Sequence, residues 1–279
     1  MRDLEELRRL AEDYLGALPF AAELGELEEA LRYSLLGGGK RIRPVLCLAT
    51  GDALGVEPAK LLPAACSLEL VHTFSLVHDD LPALDDDDLR RGQPSAHVRF
   101  GEGVAVLAGD ALLAEAFRLA LRYDTPDVAR ELTQATLGMI GGQYLDVTED
   151  GELDGEDLRN LHSLKTGRLL LACVNCATLV GGVPPSARDP WRTFGKEIGL
   201  LFQIVDDILD ATGTAEELGK TPGKDEAAGK VTYVSLYGLP RARELADEAR
   251  TRVHERLRAL PGDTSVLAEL VAAIRERRA

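Results

Sequence analysis

Aromatic residues are scarce in this 279-residue chain, at 5 % of the sequence. Runs of alternating Val, Ile and Thr are also missing, which disfavours β-sandwiches and barrels, because their strands depend on such residues. In contrast, 45 % of the residues are hydrophobic, which allows a substantial buried core and excludes a disordered chain. Since Ala, Leu, Glu and Arg dominate, we predict an all-α protein.

Positive charge is also in short supply. The chain has 32 Lys and Arg residues against 47 Asp and Glu residues, so its formal net charge at pH 7 is −15. A surface of this charge repels nucleic acids and anionic lipids. An anionic ligand would therefore need a local cluster of positive charge or a bound metal ion.

Cysteines and long apolar runs are few. The single C-x-x-C lies in an apolar helical run without a second ligand pair, so we predict neither a disulfide nor a zinc site, and four reduced core cysteines (Cys47, Cys66, Cys173 and Cys176). The longest apolar stretch, about residues 169–182, is shorter than the roughly 18 residues of a membrane span. Residues 1–15 resemble an amphipathic helix rather than a signal peptide. We therefore expect a cytoplasmic protein without a membrane span.

Helical periodicity runs through most of the chain, and prolines mark the breaks between helical segments. No change in composition marks a linker, so we predict one all-α domain over residues 1–279. The polar segment 212–230 has few apolar residues to pack and is predicted to be a mobile loop. The predicted helices cover about residues 2–17, 21–36, 44–54, 59–80, 104–122, 127–149, 155–181, 188–211, 229–237, 240–260 and 264–278.

An aspartate-rich segment follows the fourth predicted helix. Residues 79–88 contain six carboxylates, a density that is electrostatically costly unless cations neutralise it. His72 and Asp79 share one helix face, and Pro82 interrupts the helix, which lets Asp85 fold back toward Asp79. Taken alone, such a run is also typical of a solvated acidic loop.

A second acidic cluster ends the helix predicted over 188–211. Gln203, Asp206 and Asp210 follow one another at helical spacing on one face, and Asp207 lies beside them. Carboxylates at a helix C-terminus oppose the helix dipole, and a bound cation would remove this penalty. With no His or Cys at coordinating spacing, these oxygen ligands favour magnesium held by few carboxylates plus substrate phosphates.

Basic residues are placed where phosphates would need them. A glycine run at 37–39 leads into Lys40, Arg41 and Arg43 at the start of a helix, where backbone N–H groups add to the positive charge. Further basic residues follow the first acidic cluster, open a later helix or lie in the 212–230 segment (Arg90, Arg91, Lys165, Lys220, Lys224 and Lys230). These local clusters predict two bound anionic groups.

The combination of these motifs resembles the trans-polyprenyl diphosphate synthases, and among them the bacterial farnesyl diphosphate synthases. The motifs are Gly-Gly-Lys-Arg-Ile-Arg-Pro, the His-Asp-Asp segment with its aspartates, Ala-Gly-Asp-Ala-Leu-Leu, Gly-Gly-Gln, Lys-Thr-Gly and Phe-Gln-Ile-Val-Asp-Asp-Ile-Leu-Asp, in the family's order over about residues 30–245. The resemblance implies an isoprenoid synthase fold around a central cavity, a homodimer and three magnesium ions.

The resemblance also assigns residues. The implied metal ligands are Asp79, Asp85, Asp206 and Asp210, with Asp80 and Asp207 either supporting these ligands or serving as alternate ligands. The implied isopentenyl diphosphate site comprises Lys40, Arg43, His72 and Arg91. The implied allylic diphosphate site comprises Arg90, Lys165, Thr166, Gln203, Lys220 and Lys230. Helix capping or core hydrogen bonding explains other motif residues equally well, namely Asp110, Gln143 and Asp146.

The implied reaction is head-to-tail prenyl transfer. Magnesium neutralises the allylic diphosphate, its carbon–oxygen bond ionises, and the double bond of isopentenyl diphosphate attacks the allylic cation. An aromatic residue at the position of Phe74, followed by Ser75, implies farnesyl diphosphate as the product, with geranylgeranyl diphosphate as the alternative. Core packing is the competing explanation for Phe74.

Three other functions stay open from the sequence. A terpene cyclase would share the fold but would not need Lys40, Arg43, His72 and Arg91 for a second diphosphate. A noncatalytic subunit of a heteromeric synthase would usually lack one of the aspartate motifs. A simple metal buffer would leave the basic residues unexplained.

Overall fold

The computed structural model describes residues 2–148, 153–213 and 230–275. Its helices confirm the predicted all-α class. They are α1 Leu4–Gly16, α2 Leu27–Leu36, α3 Ile42–Ala53, α4 Pro58–Asp79, α5 Ala96–Phe100, α6 Glu102–Ala120, α7 Asp127–Thr148, α8 Gly155–His162, α9 Arg168–Val180, α10 Asp189–Thr212, α11 Tyr233–Tyr237, α12 Leu239–Arg258 and α13 Ser265–Arg275. Short 3-10 turns cover Ala22–Leu24 and Pro185–Ala187. Most of the predicted mobile loop lies outside the described residues.

A small hairpin was missed by the sequence patterns. Its strands, β1 Leu89–Arg90 and β2 Gln93–Pro94, are antiparallel, with Arg90 opposite Gln93. The two residues between them have positive φ angles, 54° at Arg91 and 75° at Gly92, as a tight type I′ hairpin turn requires. Two-residue strands are too short to show an alternating pattern. The turn fixes the direction in which Arg91 leaves the backbone.

Helix α4 is the centre of the fold. It packs along α6 on one side and α3 on the other, and most of its residues between Leu61 and Val77 are buried. The prediction that the longest apolar stretch covers about residues 169–182 is wrong, because α4 is longer and is apolar enough by composition to cross a membrane. However, 67 % of that apolar window is buried within the protein, and a core helix passes the same test. The four cysteines are free and buried in this core.

A π-helical turn, Ser163–Gly167, interrupts what the sequence predicted as one continuous helix. The turn lies between α7 and α10, and glycines on both helices make room for it. A Cβ on Gly142 would lie 2.3 Å from the backbone nitrogen of Lys165, and a Cβ on Gly199 would lie 3.1 Å from the Cα of Gly167. Such turns are frequent at functional sites. The two glycines therefore position Lys165 and Thr166.

Gly142→Ala is expected to lower the free energy of unfolding by about 1 to 3 kcal/mol, because the added methyl group meets backbone that must shift. The neighbouring Gly141→Ala is the matched control, since a Cβ there meets no atom within 4 Å. This control should be neutral or stabilising by up to about 1 kcal/mol, because alanine favours helix. Denaturant unfolding of the two variants measures the difference, and equal stability would contradict the close approach.

Candidate active site

The chemistry-bearing residues meet at a cavity of about 850 Å³ between α4, α6, α7, the π-helical turn and α10. Most of the residues singled out in the sequence line it: Lys40, Arg43, His72, Phe74, Ser75, Asp79, Arg90, Arg91, Lys165, Thr166, Asp206 and Asp210. Other residues singled out in the sequence are not part of this lining, among them Asp80, Asp85, Gln203 and Lys230. Lys220 lies outside the described residues. The two acidic clusters thus face one cavity.

The first acidic cluster folds as predicted. Helix α4 ends at Asp79, and the backbone N–H of Asp85 donates to the Asp79 carbonyl oxygen at 2.8 Å. Burial raises the pKa of the Asp79 carboxyl from 3.8 to about 6; nearby Lys165 opposes the shift and Asp85 adds to it. An ionised Asp79 therefore costs free energy in the folded protein unless a cation lies near it.

Asp80 has a different environment from Asp79. Its buried carboxylate accepts from Nε of Arg90 at 2.9 Å and 3.2 Å, and the Nη2 of Arg90 also contacts Asp87 at 3.4 Å. Burial raises the pKa of the Asp80 carboxyl, and the hydrogen bonds from Arg90 partly offset this rise. Arg90 therefore lines the cavity while its guanidinium contacts two carboxylates. The role of Asp80 is to fix the position of this guanidinium.

A third acidic residue, Asp146 on α7, joins the site. Its Oδ2 lies 2.5 Å from Nζ of Lys165 and 3.3 Å from Nζ of Lys230, while Lys230 also contacts Oδ1 of Asp85 at 3.0 Å. Burial would raise the pKa of the Asp146 carboxyl, but the two ammonium groups hold it below its ordinary value. The sequence left helix capping or core hydrogen bonding as equal explanations for Asp146, and its contacts with two lysines favour a role in the site.

On the opposite wall, α10 presents Asp206 and Asp210 to the cavity. Gln203 was predicted to share this role, but its Nε2 donates to Oδ1 of Asp207 at 2.7 Å. The other oxygen of the buried Asp207 accepts from the backbone N–H of Tyr233 at 2.8 Å. Asp207 therefore ties α10 to the start of α11, which leaves Asp206 and Asp210 facing the ligand space.

Two aromatic side chains that the sequence did not single out, His162 and Tyr233, also contact Asp207 or the residues around it. The buried His162 lies 3.5 Å from the Asp207 carboxylate and stacks on Tyr233, with ring centroids 5.6 Å apart. His162 ends α8 and Tyr233 begins α11. These two short helices are far apart in the chain, so no local sequence pattern predicts the contact between the two rings. The stack supports the acidic wall from behind.

A basic wall completes the cavity near the N-terminus of α3. The guanidinium of Arg91 donates to the Gly38 carbonyl and lies so close to Gly39 that a Cβ there would come within 2.9 Å of it. Arg41 is buried at the edge of the cavity, where its charge is paired, since it donates to the buried Glu69 at 2.7 Å. Burial and the surrounding arginines keep the pKa of His72 well below its ordinary value. His72 therefore faces the cavity as a neutral imidazole.

These residues fit magnesium with phosphate as a co-ligand. Among the residues that the structure describes, no group of three His, Cys, Asp or Glu side chains could hold a metal by itself. The aspartates that line the cavity are divided between two walls, with Asp79 on one and Asp206 and Asp210 on the other. The ammonium of Lys230 already bridges Asp85 and Asp146 as a cation. Magnesium typically binds one or two carboxylates together with substrate phosphates.

Asp79→Asn is expected to stabilise the metal-free protein at pH 7 by up to about 3 kcal/mol, because the amide avoids the cost of a buried charge. Since the folded-state pKa is raised, this cost appears as pH rises from 3.8 to about 6, so the gain should vanish below pH 3.8. Urea unfolding of both proteins at several pH values measures it. A variant less stable than the parent at pH 7 would contradict the assignment.

Comparison with known proteins agrees with this geometry. The sequence profile of the polyprenyl synthetase family matches residues 25–274. The heterodimeric geranylgeranyl pyrophosphate synthase large subunit 1 of Arabidopsis thaliana is 44% identical over 92% of this chain and 72% of its own length. Geranylgeranyl pyrophosphate synthase 11 of the same plant is 45% identical over 95% of this chain and 78% of its own length.

A solved structure extends the comparison to the fold. The geranyltransferase of Helicobacter pylori, complexed with magnesium and isoprenyl diphosphate, superposes with a TM-score of 0.85 at 34% identity, covering 97% of this chain and 94% of that one. The order of the motifs, the facing acidic walls and these similarities agree. The chain belongs to the polyprenyl synthetase family and is a prenyltransferase with the isoprenoid synthase fold.

Proposed function

We propose that the protein condenses isopentenyl diphosphate with dimethylallyl and then geranyl diphosphate, and releases farnesyl diphosphate as its main product. The observation that carries this choice is Phe74, which lines the cavity on α4, five residues before Asp79. At about 1.5 Å of rise per residue, Phe74 lies roughly 7.5 Å below the acidic end. A chain tethered there by its diphosphate grows toward this ring.

Two groups of cations suit two diphosphates. Lys40, Arg43 and Arg91, with neutral His72 as a hydrogen-bonding partner, form the proposed isopentenyl diphosphate site. Across the cavity, Lys165 and Thr166 on the π-helical turn, with Arg90, form the proposed allylic site. Lys230 is held beside this site by Asp85 and Asp146, and Lys220 is assigned to it from the sequence alone.

The proposed metal ligands are Asp79 and Asp85 on one wall and Asp206 and Asp210 on the other. When bound, magnesium supplies positive charge that stabilises the departing diphosphate. Lys165 and Thr166 orient the allylic diphosphate so that, once its carbon–oxygen bond has ionised, the double bond of isopentenyl diphosphate attacks the allylic cation. The released diphosphate accepts the proton lost in the final step. Apolar lining residues keep water from the allylic cation, among them Leu113, Met139 and Phe202.

We further propose a homodimer in the cytoplasm. Large apolar side chains of α6 and α7 are exposed, including Leu107 at 57%, Leu137 at 64% and Tyr144 at 67%. Tyr144 also lines the cavity, so this face is continuous with the substrate space. A second copy is the proposed occupant, since covering the face would also close the cavity wall. The relatives named above carry chloroplastic names, so the cytoplasmic location rests on the sequence pattern.

Geranylgeranyl diphosphate is the second candidate product, because the plant relatives are named as synthases of that compound. One of them is a large subunit of a heterodimer, so a role in a heteromeric synthase also follows from the comparison. In this chain both aspartate motifs face the cavity, which favours a catalytic subunit. The basic wall of Lys40, Arg43 and Arg91 argues against a cyclase that binds one diphosphate.

Separate cation sites predict separable kinetic effects. Arg43→Ala should raise the KM for isopentenyl diphosphate about 10- to 100-fold, as expected for loss of a hydrogen bond to a charged group. Lys165→Ala should instead raise the KM for the allylic substrate or lower kcat. Lys196→Ala, an exposed lysine on α10, is the control and should change neither. Equal effects of Arg43→Ala and Lys165→Ala on both KM values would contradict the assignment.

Product analysis tests the proposed chain length. The parent enzyme with isopentenyl and dimethylallyl diphosphates and magnesium should yield mainly the farnesyl compound, and Phe74→Ala should yield longer chains. Phe194→Ala is the control, because this fully buried core ring does not line the cavity. Both variants should lose about 3 to 5 kcal/mol of stability, and only the first should change the products. Geranylgeranyl diphosphate from the parent enzyme would overturn the proposed product.

A further inference from the structure

Phe74 has an aromatic neighbour one turn further along α4. Its ring meets the imidazole of His78 edge to face, with the two centroids 4.9 Å apart and the ring planes at 73°. Both side chains line the cavity. Such aromatic pairs add about 0.5 to 1.5 kcal/mol beyond simple burial and prefer this geometry. The orientation of Phe74 is therefore coupled to the position of His78.

His78 is in turn fixed against α6. Its Nε2 lies 3.0 Å from the carbonyl oxygen of Val106, to which it donates a hydrogen bond, and 4.0 Å from the carboxylate of Asp110. The imidazole occupies the space that a side chain at position 109 would fill: a Cβ on Gly109 would lie 2.1 Å from Nε2. The glycine is thus required for the ring to reach the backbone of α6.

We propose that His78, seated in the gap at Gly109, is a positioning residue that holds Phe74 across the cavity and so limits product length. This inference rests on the proposed role of Phe74 as the barrier to the growing chain. The sequence Ala-Gly-Asp then contributes to product length through the missing Cβ of its glycine. The hydrogen bond to Val106, the gap and the edge-to-face contact form one continuous support from α6 to Phe74.

The geometry explains why Phe74 needs this support. Its side chain is mostly buried, at 8 % exposure, but it also lines the cavity, where fewer atoms pack against the ring. Without the imidazole, the ring loses its edge-to-face partner and gains room beside α6. Ser75 offers no replacement, because its hydroxyl donates to the His72 carbonyl oxygen at 2.9 Å. A ring that turns into this space deepens the cavity for the growing chain.

Gly109→Ala tests the seat of the imidazole, and Gly103→Ala on the same helix is the matched control, since a Cβ there meets no atom within 4 Å. The ratio of longer products to the parent's main product should rise about two- to tenfold in Gly109→Ala, the factor that corresponds to the free energy of one aromatic pair. Gly103→Ala should keep the parent's ratio. The ratio is independent of how much enzyme folds.

His78→Ala provides a second route if Gly109→Ala folds poorly. It should shift the ratio in the same direction, and Phe74→Ala combined with His78→Ala should shift it no further than Phe74→Ala alone. If His78 only joins α4 to α6, His78→Ala lowers stability and leaves the ratio unchanged, which overturns the proposal. Additive shifts in the double variant overturn it as well. If the parent enzyme makes geranylgeranyl diphosphate, the proposed product is wrong. The product ratios of the His78 and Gly109 variants, compared with that parent, would still show whether His78 limits chain length.

Discussion

Carboxylates gathered at a partly buried site are the constraint on which the rest of this protein depends. A chain of net charge −15 places Asp79, Asp85 and Asp146 close together at one end of its cavity, where burial already raises the pKa of Asp79. Their repulsion must be offset by cations. Lys165 and Lys230 supply part of this charge from the protein. Divalent cations brought with the substrate supply the remainder in the proposed reaction.

The scaffold serves this arrangement through close backbone approaches. Gly142 and Gly199 bring α7 and α10 against the π-helical turn, so that Lys165 reaches Asp146. Asp207 uses its buried carboxylate to hold Gln203 and the start of α11, which fixes the face on which Asp206 lies. The charged residues that line the cavity are thus positioned by glycines and by a buried carboxylate that do not themselves line it. Replacing either the charged residues or the residues that position them would disturb the same site.

The sequence predicted the parts of the site that depend on local spacing. Asp79 ends α4 and Asp206 lies near the end of α10, so their positions on opposite walls could be anticipated, as could the return of the chain to Asp79 after Pro82. The contact of Lys230 with Asp146 joins residues 84 positions apart and has no local pattern. The Asp207 network and the Arg91 turn also depend on tertiary contacts. Spacing placed Gln203 on the face of Asp206, but its side chain donates along α10 to Asp207, four residues away, whose other oxygen is held by the distant Tyr233.

The two acidic walls are proposed to hold magnesium together with a diphosphate and not by themselves. Calorimetric titration of the full chain with magnesium, in the absence and presence of inorganic diphosphate, tests this proposal most directly. After correction for magnesium binding to free diphosphate, we expect at least about tenfold tighter binding in the presence of diphosphate, within the usual range of coupling between two ligands. Equally tight magnesium binding without diphosphate would contradict the account.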